Sequence, residues 1–118
     1  MKRESVLKEK SYLFAIRIVK LSQFLQQEKR EYILSKQILR SGTAIGALIR
    51  EAEFAQSNAD YINKFSIALK ETNETYYWLS LLKDTEYLEN RLYESLSIDC
   101  KELLSMLVST IKTLKTKR

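Results

Sequence analysis

Residues 39–52 read LRSGTAIGALIREA, and they hold both glycines of a 118-residue chain that contains no proline. A glycine inside a helix costs roughly 0.8–1.0 kcal/mol relative to alanine, so Gly42 and Gly46 look at first like a break. The apolar pattern says otherwise. At 100° per residue, Leu34, Ile38, Ser41, Ile45, Leu48, Ile49 and Ala52 share one sector of a helix. The stripe passes both glycines without losing phase, which predicts one continuous helix over 31–56.

Two glycines four apart form a GxxxG pair, which in membranes marks close helix approach. Arg40 and Arg50 bracket only nine residues here, far short of a membrane span. What carries over is the geometry: a shallow groove, extended by Ser41, Thr43, Ala44 and Ala47, that receives a neighbouring backbone or a bulky side chain. Gly42 and Gly46 are therefore candidate packing positions, within the bundle or between subunits. A phosphate-cradling loop is disfavoured, because the lysine-serine/threonine ending and the preceding strand are both missing.

The same rhythm extends outward in both directions. Upstream, Leu7, Ser11, Phe14, Ile18, Leu21 and Leu25 recur in steps of four and three, predicting a helix over about 5–27 and a turn at QQEKRE (26–31). Downstream, SNAD (57–60) offers Asn58 or Asp60 as an N-cap. A third helix over about 60–83 carries Ile62, Phe65, Leu69, Thr72, Tyr76 and Leu79 on one side. Trp78, Leu81 and Leu82 add a second ridge, wide enough to seat another subunit. After DTEYLEN (84–90), Leu92, Leu96, Cys100, Leu103, Leu107, Ile111 and Leu114 mark a fourth helix over about 90–115. Four long helices with short connections predict one all-α domain over 1–118, an antiparallel up-down-up-down four-helix bundle.

Composition narrows the chemistry. Apolar residues make up 45% and charged residues 30%, the balance of a globular chain. No apolar run approaches the ~18–20 residues of a membrane span, and MKRESVLKEK (1–10) has no apolar block of a secretory signal. A cytoplasmic protein without membrane partners is expected. Cys100 is the only cysteine, which excludes an intramolecular disulfide, and its leucine neighbours predict a buried thiol. The chain has no histidine, the commonest general base and metal ligand. Glu71, Glu74 and Trp78 share a face of the third helix, and a carboxylate pair beside an aromatic is capable of acid–base work. Without histidine or a metal-ligand cluster, salt bridging between helices or subunits is the stronger expectation. No catalytic set, metal or cofactor is predicted, and the chain reads as non-enzymatic.

Charge points to a partner. The net charge is +5, but residues 1–40 hold ten Lys/Arg against four Asp/Glu, while residues 41–110 hold six against eleven. Lys36, Arg40 and Arg50 lie opposite the apolar stripe of the second helix. Arg3, Lys10 and Arg17 repeat at seven-residue intervals on the first, with Lys20 beside them. Two rows and a basic tail (Lys112, Lys115, Lys117, Arg118) suggest RNA or DNA bound through phosphates, salt-sensitively and with little sequence preference. Of seven tyrosines, only Tyr12 and Tyr32 lie near the rows, so no aromatic stacking platform is indicated. The alternative is a protein-interaction scaffold whose basic rows meet the acidic part of another copy.

The stretch LRSGTAIGALIREAEFAQSNADYINKFSIALKETNETYYWLSLL (39–82), with KSYLFAIRIVKL (10–21), SKQ (35–37) and SIDCKELLSML (97–107), resembles a known family. It is similar to the bacterial four-helix-bundle proteins encoded in intervening sequences of 23S ribosomal RNA. The combination of RSGT-x-IGA, AQS-x-AD and IALKE-x-x-E-x-YWL-x-LL carries the likeness over nearly the whole chain. The resemblance implies compact antiparallel bundles that assemble into homopentamers. It also reaches the accessory proteins of diversity-generating retroelements, which implies binding of nucleic acid and of a reverse transcriptase, or another nucleic-acid-handling protein, through basic surfaces. Two positions depart from the pattern: Ala44 stands where the family usually has serine, and Leu48 where it usually has asparagine. Any contact in relatives that uses those polar groups is replaced here by packing.

Overall fold

The computed structural model describes residues 3–117. Four helices follow one another: α1 (Arg3–Gln27), α2 (Leu34–Ala52), α3 (Asn58–Asp84) and α4 (Asn90–Thr116). A 27-residue α-helix is about 40 Å long at 1.5 Å per residue, and the molecule measures 47 × 22 × 22 Å. The helices therefore run side by side along the long axis. α1 packs against α2 and α4, α3 packs against the same two, and the diagonal pairs stay apart. Connections of five or six residues make successive helices antiparallel. The result is the predicted bundle, square in section, with the α1–α2 side opposite the α3–α4 side.

The core follows the stripes, although Leu34 and Leu48 on α2 and Leu92 and Leu114 on α4 are only half-buried, and α3 departs in an informative way. Leu7, Ser11, Phe14, Ile18, Leu21 and Leu25 are all buried on α1, and Leu96, Cys100, Leu103, Leu107 and Ile111 on α4. On α3 the buried line includes Ala68 and Thr75, while the bulkier Leu69 and Tyr76 are only half-buried. The reason is the closeness of α2. The Thr75 hydroxyl donates to Ser41 Oγ at 2.9 Å, a contact for which only small side chains leave room. Similarly, Ser22 on α1 donates to the Ser35 carbonyl of α2 at 3.0 Å. These buried hydroxyls find partners across or along the helices, as most buried polar groups do, whereas those of Ser97 and Thr110 on α4 have none among the described residues.

α2 is shorter at both ends than the predicted 31–56. Glu31 is not its first residue but its cap: the carboxylate accepts the backbone N–H of Ile33, Leu34 and Ser35 at 3.2, 3.0 and 2.7 Å. Burial would raise this carboxyl, but the three backbone donors outweigh it and hold it below the usual glutamate range. At the other end Glu53, Phe54 and Ala55 each donate to the carbonyl three residues back, tightening the last turn until the helix ends. The N-cap of α3 is Ser57, whose side chain accepts from the Asp60 N–H at 3.0 Å, rather than Asn58 or Asp60. Asp60 returns the favour by accepting from the Gln56 N–H at 3.2 Å, a variant of the capping box.

Neither glycine serves a turn. The left-handed backbone positions are occupied by Arg30 (φ 54°) and Glu86 (φ 68°), where α1 and α3 end. There the Tyr87 N–H reaches back to the Leu82 carbonyl, the six-to-one bond of a Schellman cap, and the Glu31 N–H reaches one residue further, to the Leu25 carbonyl. Gly42 and Gly46 lie inside α2 with ordinary helical backbone. A Cβ on Gly42 would come within 2.8 Å of Ile18 Cγ2 and 2.9 Å of Ile18 Cγ1, both attached to a stiff, buried, β-branched centre. A Cβ on Gly46 would meet Ser11 at 3.3–3.5 Å. The first glycine is required by the approach of α1. The second is tolerated by it.

Candidate nucleic-acid interface

The seven basic residues singled out in the sequence divide into two groups once the helices are packed. Arg3, Lys10 and Arg17 lie on the flank of α1 that faces α4. Arg17 Nη1 donates to Asp99 Oδ2 at 2.7 Å and Nη2 to Ser95 Oγ at 2.9 Å. Lys10 Nζ is 3.2 Å from Glu102 Oε1, and Arg3 Nη1 donates to Thr113 Oγ1 at 3.2 Å. The seven-residue spacing that looks like a phosphate track is thus a set of rungs between antiparallel helices. A matching signal exists in the sequence: Ser95, Asp99 and Glu102 fall at steps of four and three on α4, in the opposite direction.

Arg40 joins this first group. Its guanidinium donates to Glu74 Oε2 at 2.6 Å and lies 3.4 Å from Glu71 Oε1, close enough for ion pairing but without hydrogen-bond geometry at Glu71. Trp78 Nε1 also donates to Glu74 Oε2, at 3.1 Å. This indole hydrogen bond, with Arg40 beside it, holds the Glu74 carboxyl below its usual range despite partial burial. Reciprocally, the hydrogen bond and charge of Glu74 raise Arg40. The trio Glu71, Glu74 and Trp78 therefore meets α2 of the same chain.

Lys20, Lys36 and Arg50 form the second group. They are exposed, and no carboxylate lies within ion-pairing distance of them among the described residues. On α4, Lys112, Lys115 and Lys117 are likewise exposed and unpaired among the described residues. Arg118 lies outside the described residues. Tyr12 and Tyr32, the aromatics near the basic rows, are both exposed.

The remaining chemistry is quiet. The Cys100 thiol is fully buried, and burial, with Asp99 adding to it, pushes it up to about 12. It remains protonated at neutral pH and packs as an apolar group. No group of three His, Cys, Asp or Glu side chains placed to hold a metal occurs among the described residues. No described helix is long and apolar enough to cross a membrane. An open groove of about 260 Å³ runs between α1 and α2, lined by Lys8, Tyr12, Ala15, Thr43, Gly46, Ala47 and Arg50. The departures from the family pattern lie on the other flank of α2: Ala44 is half-buried, and Leu48 packs on the core.

Exposed apolar residues are concentrated where the sequence reading did not put them. The second ridge of α3 is half-buried at Trp78 and Leu81 and buried at Leu82. The longest set of exposed apolar side chains is instead on α1, at Tyr12, Leu13, Ile16, Val19 and Phe24, with others scattered at Ile33, Phe54, Tyr77, Ile98 and Val108. An outward stripe on α1 was legible in principle, since these residues recur around a helix whose core face is already full.

The fold and its polar seams define an all-helical four-helix-bundle protein with unpaired surface cations. The chain belongs to the 23S rRNA-intervening sequence protein family, whose model matches residues 3–109. It is similar to a solved protein of unknown function from the S23 ribosomal protein family of Bacteroides thetaiotaomicron VPI-5482. The two are 58% identical, with a TM-score of 0.92 over 94% of this chain and 99% of that one. No curated protein matches the chain.

Proposed function

We propose that this protein is a non-enzymatic, cytoplasmic homo-oligomer that binds RNA or DNA through phosphate contacts. The observation that carries this reading is the set of outward cations without carboxylate partners, Lys20, Lys36 and Arg50, together with the lysines at the end of α4. A cation already satisfied by a carboxylate gains little from a phosphate. An unpaired one releases counterions from the nucleic acid, and that release drives binding. Membership of a family named for ribosomal RNA intervening sequences supports a nucleic-acid setting, and the resemblance noted above makes a pentamer the expected assembly.

The test is fluorescence anisotropy with structured RNA and with duplex DNA across a salt series. Affinity is expected to fall steeply between ~50 and ~200 mM salt. Reversing Lys36 and Arg50 to glutamate is expected to weaken binding and to reduce the salt slope by about 1 for each charge removed. Arg17→Glu is expected to act mainly on stability. Absence of binding at low salt sinks the reading, and so does indifference to the Lys36 and Arg50 reversals. The second reading is a scaffold that contacts itself and a nucleic-acid-handling protein, such as a reverse transcriptase, without touching nucleic acid. The exposed apolar side chains of α1 favour it, and an assembled protein that binds neither RNA nor DNA would establish it.

A further inference from the structure

We propose that the groove between α1 and α2 takes one unpaired base of single-stranded RNA or DNA, laid on Tyr12, with the adjoining phosphate on Arg50. The proposal rests on the nucleic-acid reading above and narrows its ligand to single strands.

The first argument is a glycine that packing leaves unexplained. Glycine weakens a helix interior wherever alanine would fit. At Gly42 the approach of Ile18 leaves no alternative, but a Cβ on Gly46 would meet Ser11 no closer than 3.3 Å. The missing side chain has another consequence. Gly46 lines the groove of about 260 Å³, together with Tyr12 and Ala15 of α1 and Thr43, Ala47 and Arg50 of α2. Bare backbone in the lining lets a ligand come closer than any side chain would allow.

The lining defines the ligand. Tyr12 is 59% exposed, so its ring is open to a flat group from outside. Arg50 is exposed and has no carboxylate within ion-pairing distance among the described residues. Lys8, the other cation of the groove, is already engaged by Glu53, which leaves Arg50 to receive an anion. An open aromatic face beside an unpaired guanidinium, over small residues, suits a flat ring joined to an anion, as in a nucleotide. Stacking of this kind accepts every base. A strand also has a second anchor. Lys36, exposed and equally unpaired, lies fourteen residues before Arg50 on the outward side of α2, about 21 Å along the helix. No acidic residue occurs between them in the chain. A duplex cannot use the groove in this way, because its bases are paired inside and it presents phosphates and groove edges. Only an unpaired base can turn out and lie on a side chain. Tyr12 alone is no extended stacking platform, but one stacked base is enough to distinguish a single strand from a duplex.

The test is fluorescence anisotropy on the purified full chain with labelled oligo(U) RNA and oligo(dT) DNA, each alone and annealed to its complement. The single strands are expected to bind more tightly than the duplexes. Tyr12→Ala is expected to lower single-strand affinity about tenfold. Duplex affinity and the salt slope are expected to stay unchanged, because no charge is removed. Tyr12→Phe, which keeps the ring, is expected to restore the single-strand affinity. Gly46→Ala is expected to weaken single strands alone, with unfolding in urea close to wild type. A loss confined to oligo(U) or to oligo(dT) assigns the groove to that strand. Duplexes that bind as tightly as single strands overturn the proposal but leave the nucleic-acid reading in place. So does a Tyr12→Ala variant that affects both forms equally or neither. A Tyr12→Ala variant that changes the mass of the protein in light scattering also overturns it, by showing that the groove is covered by protein. Binding of no strand in any form at low salt overturns both the proposal and the reading beneath it.

Discussion

α1 meets α2 and α4 in two different ways. Against α2 it approaches until a single hydrogen separates backbone from side chain: Gly42 leaves no space for a Cβ beside Ile18. Against α4 it stands back, and long side chains cross the gap as Arg17–Asp99 and Lys10–Glu102. Open depressions beneath these pairs are floored by Phe14, Leu21, Leu96 and Leu103. Dispersion and apolar burial hold the first seam, and they depend steeply on fit. Partly solvated ion pairs decorate the second, and they depend on salt and contribute little each. The same helix thus has one flank intolerant of a methyl group and another that tolerates substitution.

Gly42→Leu tests the first seam most severely. It is expected to cost more than about 3 kcal/mol, or to prevent folding, because the Cβ alone already meets Ile18 at 2.8 Å and three further carbons follow it. Gly42→Ala is expected to cost roughly 1–2 kcal/mol, the overpacking exceeding the ~0.8–1.0 kcal/mol gained in helix propensity. A Gly42→Ala variant that is more stable than wild type in urea denaturation would break the comparison. The second seam predicts a smaller effect. A double-mutant cycle on Arg17 and Asp99 is expected to give a coupling of about 0.2–1 kcal/mol that shrinks with added salt. A coupling well above that range, unchanged by salt, would mean that the rungs rather than the floor hold α4 in place. The smallest effect is expected from Gly46→Ala. Its Cβ meets Ser11 only at 3.3 Å and beyond, so helix propensity roughly cancels the crowding, leaving stability within about 0.5 kcal/mol of wild type. Equal costs at Gly42 and Gly46 would show that the two positions are not distinguished by the approach of α1.

The fold was legible because each stripe is strong and every connection short. Leu7 through Leu25 and Leu96 through Ile111 are buried as their spacing predicts. The ends of α2 were less legible, since Glu31 caps the helix by reaching forward to three N–H groups, an act that propensity does not register. The candidate site was legible only in part. Periodicity placed Arg3, Lys10 and Arg17 correctly on one flank of α1, but that flank faces α4, and the same residues with α4 removed would be an open basic row.

Sequence alone determines what is local in this protein: four helices, their inward stripes, and the continuity of the helix through Gly42 and Gly46. Those properties depend on residues three and four apart, which the chain brings together by itself. Only the packing decided which cations are left without a carboxylate, which glycine has no room for a Cβ, and which apolar side chains still face water. Each of these depends on a residue dozens of positions away, such as Asp99 for Arg17, Glu74 for Arg40 or Ile18 for Gly42. A helix's own periodicity gives the direction of a side chain but not the neighbour it meets there.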